Sequence, residues 1–201
     1  MKLDPGRVFR MAETNAPVAG CTVSQQIGAG KNPLWIFSLG EGTDISAEIY
    51  PYHKLLTVHT GRLALTGSLK GTVLEAGESL LTPTDVPVGM AAEEDTVYTE
   101  VEIQKEDIMN NAVKAGEAFR LADLVPYQEG RIVNMDVVHN DKMKFVVMAF
   151  DAGTGLSEHA APGDALIFAL DGEGIIGYEG QAHTLKAGEQ FRFAKNGLHW
   201  V

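Results

Sequence analysis

GLSEHAAPGDALIFALDGEG, Gly155 to Gly174, is the stretch whose reading decides the fold. A turn-rich lead, a short apolar run and a closing pair of glycines are the punctuation of a β-strand held between tight turns. GEQFRFAKNGLHW, Gly188 to Trp200, continues in the same style. Both segments have a near-copy upstream. Gly61 matches Gly172 at an offset of 111 residues, and at that offset Gly42-Thr43 matches Gly153-Thr154, Ser46 matches Ser157 and Pro51 matches Pro162. Leu74-x-Ala76-Gly77-Glu78 likewise matches Leu185-x-Ala187-Gly188-Glu189. Further upstream, Gly6, Phe9, Arg10 and Ala12 match Gly116, Phe119, Arg120 and Ala122 at an offset of 110. One unit is written twice. The repeat divides the chain into two expected domains, 1–104 and 105–201.

Working outward, Val8 to Glu13 and Ala118 to Leu124 read as matching leading segments, each a turn or helical piece before the first strand. The apolar runs LWIFSL and FVVMAF have the length of buried strands. Many short strands separated by glycine-rich turns predict an all-β barrel in each half. Lys105 to Ala115, KEDIMNNAVKA, is polar and long enough to be a linker containing some helix. Thr96 to Ile103 alternates like a closing strand in the first copy, and the second copy stops before its equivalent. The expectation is a chain cut short after Val201, or a second barrel closed by a neighbouring subunit, since an unpaired edge invites association.

Of the 201 residues, 45% are hydrophobic and 21% charged, a globular profile. A formal charge of −11 argues against nucleic-acid binding, which requires clustered Lys and Arg to neutralise phosphate. The single Cys21 permits no internal disulfide and fits a reducing, cytoplasmic setting. The N-terminus lacks the apolar core of a secretory signal, and no run has the length of a membrane helix, so no membrane partner is expected. GAGKNP at Gly28 lacks the spacing of a phosphate loop.

The two segments resemble the motifs of the cupin superfamily, and the tandem repeat resembles a bicupin. The wording of the second copy is similar to small bacterial single-cupin proteins. The resemblance implies two tandem cupin-type jelly-roll β-barrels. In the family, two histidines of a His-x-His, a Glu and a later His commonly bind one divalent metal inside the barrel. Carried onto this sequence, Ser157 stands for the first histidine, His159 for the second, Ala165 for the Glu and His199 for the last. In the first copy the positions of His159, Ala165 and His199 are held by Glu48, Lys54 and Val88, which implies a degenerate, metal-free and structural first barrel.

Alternation along a strand sends Ser157 and His159 inward and Glu158 outward. His183 shares the parity of Leu185, so it too is placed on the inner face. Imidazoles with open positions suit a transition metal that also takes water or substrate. His159, His199 and His183 are therefore the candidate metal ligands, with Ser157 and Ala165 lining the pocket and Fe, Mn, Ni or Zn as candidate ions. The function implied is a small-molecule pocket in the second barrel of a metal-dependent enzyme acting on a polar metabolite. The alternative is a ligand-binding or structural module without metal, favoured by the missing Glu and first histidine. A metal-free His159 with Asp164 would instead resemble the general-base pairs of cupin epimerases. His53, His59 and His139 are expected at the surface or at an interface. A homodimer is a further expectation from the family.

Overall fold

The computed structural model describes residues 3–201. The chain is built almost wholly of β-strands, with one helical turn at Met11–Thr14 and a 3-10 turn at Leu121–Leu124. No helix among the described residues is long and apolar enough to cross a membrane.

The first compact unit comprises Asn15–Leu124 and Met135–Val147. Its six-stranded sheet runs in the order Ala118–Arg120, Glu78–Leu81, His53–Thr60, Thr96–Ile103, Leu34–Leu39, Thr22–Gly28. A four-stranded sheet follows the order Asp44–Ile49, Pro87–Ala92, Arg62–Gly67, Val73–Glu75. Side chains at alternate positions of both sheets meet in one core that includes Leu39, Leu56, Leu63, Leu74, Met90 and Tyr98. Burying one such leucine stabilises the fold by roughly 2 kcal/mol. Thr96–Ile103 is the centre of the larger sheet: Tyr98 pairs with Val58 on one side and with Phe37 on the other. The expected helix in Lys105–Ala115 is not formed. Asn110 instead accepts the Ala112 amide at 2.9 Å in an Asx turn, and Ile108–Met109 makes a short strand against Val138 and His139.

The second unit is assembled from the residues up to Thr14, Val125–Asn134 and Met148–Val201. It has a three-stranded sheet, Val8–Phe9, Gln190–Phe193, Ala165–Phe168, and a four-stranded one, His159–Ala160, Leu198–Trp200, Glu173–Tyr178, Gln181–Lys186. Ile176, Leu185, Phe191 and Phe193 form its core, with Val8, Ala165 and Ile167 against them.

Compactness thus divides the chain otherwise than 1–104 and 105–201, and the reason is an exchange of leading segments. Val8–Phe9 pairs with the strand of the second copy, Phe9 opposite Gln190. Ala118–Arg120 pairs with the strand of the first, Phe119 opposite Ser79. These pairings are the same contact under the repeat. Each is flanked by matching bonds: Gly6 donates to the Arg192 carbonyl at 3.1 Å and Gly116 to that of Leu81 at 2.8 Å. Arg10 reaches Glu189 at 3.3 Å and Arg120 reaches Glu78 at 3.7 Å.

The repeat is also legible in dihedrals. Gly61 has φ 76° and its counterpart Gly172 φ 70°, so both need the left-handed region. Their surroundings differ. A Cβ on Gly61 would collide with the Asp95 carbonyl oxygen and lie 2.8 Å from the Thr96 Cα, whereas one on Gly172 meets nothing within 4 Å. Gly172→Ala is expected to cost about 1–2 kcal/mol from backbone conformation alone. Gly61→Ala must also displace the central strand and is expected to exceed about 3 kcal/mol. Urea unfolding of the two variants checks this ranking; equal losses would contradict the contact described at Gly61.

His59, expected at the surface or at an interface, is partly buried on the outward face of the six-stranded sheet, its Nε2 3.0 Å from the Thr99 hydroxyl. Burial lowers its pKa from 6.5 to about 4. Between those values the unfolded chain binds the proton and the folded one does not. Stability should therefore fall as pH drops from about 6.5 to 4, by up to about 3 kcal/mol. Glu100 acts with the opposite sign: burial raises its pKa against the lowering by Lys54, so its contribution is lost as pH rises through the raised value. Because Glu100 is common to both proteins, comparing wild type with His59→Gln isolates the histidine. Denaturant midpoints at pH 7, 5 and 4 should decline less in the variant; parallel declines would refute this role.

Candidate functional site

His159 and His199 face each other across paired strands, residue opposite residue. Their ring centroids are 4.3 Å apart and the planes cross at 55°. His159 is exposed and His199 only 6% exposed. Each Nδ1 lies 2.8 Å from a backbone carbonyl two residues earlier, that of Ser157 for His159 and that of Gly197 for His199. A carbonyl oxygen can only accept, so Nδ1 carries the hydrogen in both rings. In the neutral imidazole this leaves the lone pair on Nε2, the nitrogen then open to a metal or a hydrogen-bond donor.

His199 stacks on Phe193 with centroids at 4.2 Å and planes at 17°, and that contact fixes its ring. Phe193 in turn touches Phe191 at 5.2 Å, and Phe191 touches His183 at 5.0 Å. His183 lies opposite Ile176 on the face it shares with Leu185. The three candidate imidazoles are therefore members of one file of rings, with two phenylalanines between His199 and His183. Among the described residues, no group of three His, Cys, Asp or Glu is placed to hold a metal ion.

Of the other residues singled out from the sequence, Ala165 is half-buried against the core, opposite Phe193. Ser157 is exposed and precedes the two-residue strand His159–Ala160, so strand alternation does not govern its side chain. It contributes its carbonyl to His159. Asp164 is engaged elsewhere: its carboxylate accepts from Arg192 at 3.2 Å and from the Lys195 amide at 3.0 Å. A His159–Asp164 general-base pair is not what these bonds make.

The first unit carries a polar group that the motif comparison passes over. Glu100 and Glu102 share the inward parity of Tyr98, opposite Leu56 and Lys54. Lys54 Nζ lies 3.1 Å from Glu100 Oε1 and 3.8 Å from the centroid of the Tyr50 ring. Glu100 is 3% exposed, and Tyr50 donates its hydroxyl hydrogen to Glu48. Burial raises the Tyr50 hydroxyl above its ordinary range, reinforced by Glu48. The signal was available in TVYTEVEI, where Tyr98, Glu100 and Glu102 are polar residues at core parity.

Scans against protein-family models and curated proteins return no match. Solved structures do match. A cupin 2 conserved barrel domain protein from Leptotrichia buccalis is 25% identical, with a TM-score of 0.85 over 100% of this chain and 91% of that one. Ylba from E. coli is 12% identical, with a TM-score of 0.57 over 98% of this chain and 87% of that one. A mutant oxalate decarboxylase from Bacillus subtilis is 11% identical, with a TM-score of 0.53 over 100% and 74%. The last two support the fold alone. With the repeated glycine turns, the facing sheets and the first of these neighbours in agreement over the whole length, the chain belongs to the cupin superfamily.

Proposed function

We propose that the C-terminal unit is a small-molecule site in which His159 and His199 hold a divalent transition metal through Nε2. The observation that carries this reading is the pair of carbonyl acceptors, Ser157 and Gly197, which set both rings in the ligating tautomer. The donor set fits such an ion: neutral imidazoles suit Fe, Mn, Ni and Zn, and two protein ligands leave positions for water and a metabolite. When bound, the ion would act as a Lewis acid toward an oxygen of the ligand or lower the pKa of a bound water.

The chain's own residues perform the positioning. Phe193 holds His199 in plane by stacking, and the backbone opposite holds His159 in register. His159, being exposed, offers its edge to what arrives from solvent. His183 stands against Phe191 and has no part in this pair. A second reading, a metal-free barrel that binds a ligand without catalysis, is favoured by the lack of a third ligating side chain among the described residues.

Metal content of protein purified without a histidine tag or chelator separates the two. About one ion per chain is expected, lost in the His159→Ala, His199→Ala double variant, with each single variant binding at least about tenfold more weakly. His183→Ala should retain the ion. Protein that stays metal-free after incubation with Fe, Mn, Ni and Zn salts, yet binds a metabolite saturably, would leave only the second reading.

A further inference from the structure

Under the repeat the larger sheets of the two units correspond strand by strand up to one position. In the first unit the order is Ala118–Arg120, Glu78–Leu81, His53–Thr60, Thr96–Ile103, Leu34–Leu39, Thr22–Gly28. In the second, Val8–Phe9, Gln190–Phe193 and Ala165–Phe168 reproduce the first three places, and there the sheet stops. Lys144–Phe150, the copy of Leu34–Leu39, ends a separate three-stranded sheet with Ile132–His139 and Ile108–Met109. Thr96–Ile103 pairs on both sides in the first unit, and among the described residues it has no counterpart in the second. One strand position is open beside Ala165–Phe168.

The edge keeps the register of its copy. Leu55, Leu56 and Thr57 lie opposite Leu81, Leu80 and Ser79, and Leu166, Ile167 and Phe168 lie opposite Arg192, Phe191 and Gln190, the same pairs displaced by 111 residues. Gly77 donates to the Val58 carbonyl at 2.8 Å and Gly188 to that of Ala169 at 2.9 Å. Ladder bonds alternate along a strand, so the backbone groups of Leu166, like those of Leu55, are directed to the other side, toward the open position. Burial differs accordingly. Leu55 and Leu56 are 1% and 0% exposed beside Thr96–Ile103, whereas Leu166 and Ile167 are only half-buried. A sheet edge that faces solvent is ordinarily guarded by a charge, a proline or a bulge. ALIF has no charge and no proline, and it pairs with Gln190–Phe193 without a register shift.

We propose that the Ala165–Phe168 edge is a strand-binding site. It takes an extended segment of a partner polypeptide as one antiparallel strand, in the register that Thr96–Ile103 holds against His53–Thr60. That register sets partner residues at the places of Tyr98, Glu100 and Glu102 opposite Ala169, Ile167 and Ala165. In the first unit Lys54 answers Glu100 at 3.1 Å. The second unit has Ala165 at the lysine position, packed with Ile167 and Phe193, so a carboxylate there would be buried without a cation. The partner strand therefore carries apolar side chains at these three alternate positions. A second copy of this chain is disfavoured: its fitting strand, Thr96–Ile103, is already paired on both sides, and its own Ala165–Phe168 has four residues against eight. The site uses neither imidazole, so it stands or falls independently of the metal reading.

The test adds three synthetic peptides, each with the same lysine tail for solubility, to the full chain. They are the sequence of Thr96–Ile103, TVYTEVEI; its Glu100→Val, Glu102→Val form; and that form with Val101→Pro as well. Val101 lies opposite Leu55 in the first unit, and proline there removes the amide that the edge would bond. Calorimetry gives the affinity and amide hydrogen exchange gives the place. The divaline peptide is expected to bind saturably, at least about tenfold tighter than TVYTEVEI, whose carboxylates find no cation, and than the proline form. Exchange at the Leu166 amide should slow at least about tenfold on binding. Ala165→Lys restores the cation of the first unit and should reverse the preference between the first two peptides. No saturable binding at about millimolar peptide, equal binding of the proline form, or an unchanged Leu166 amide would each overturn the proposal. So would a dimer whose Leu166 amide is protected without peptide, or an unreversed preference in a folded Ala165→Lys variant. If that variant does not fold, the comparison on the unaltered chain still decides.

Discussion

The exchanged strands are the constraint on which both units depend. Gln190–Phe193 carries two of the four core side chains of its unit, Phe191 and Phe193, and its outer edge is satisfied by Val8–Phe9 from the far end of the chain. Glu78–Leu81 is covered in the same way by Ala118–Arg120. An uncovered edge would leave a row of backbone donors and acceptors without partners. The exchange satisfies both edges by one rule applied twice, down to the arginine that reaches the glutamate of the turn. Neither unit is complete from a contiguous half of the sequence.

That arrangement also marks what can be read from sequence. The tandem repeat was legible because its glycines answer a backbone requirement: left-handed turns tolerate little else, so Gly42, Gly61 and Gly77 recur at Gly153, Gly172 and Gly188 with φ between 70° and 84°. The pairing of the leading segments was not legible for the same reason. Two acceptor strands that are copies of each other offer Phe9 equivalent partners at Ser79 and Gln190, and no local pattern distinguishes near from far.

Within the candidate sites, parity was informative where the chain is a strand and misleading where it is not. His183 and Leu185 share a face because Gln181–Lys186 is regular. Ser157 does not obey alternation because the regular part begins only at His159. For His59 the sequence gives the face, outward, but the degree of cover comes from tertiary packing that no alternation encodes. Glu100 is the converse case. Its inward parity is plain in Thr96–Ile103, yet a motif comparison directed at ligating histidines passes over a carboxylate paired with a lysine.

The two units therefore put different chemistry on the same scaffold positions, and the difference follows from what fills each interior. In the first, a lysine in place of a ligating acid brings its own positive charge, and a buried carboxylate is required beside it to offset the desolvation of that ammonium. Once Glu100 is there, the field around Tyr50 and Tyr52 is acidic. In the second, Ala165 at the lysine position is small and uncharged, and the aromatic pair Phe191 and Phe193 occupies the core against it. That pair stacks His199 into place but also stands between it and His183. In the proposed metal reading a bound species would have to complete what two imidazoles begin, because the phenylalanine pair keeps the third candidate imidazole away from them.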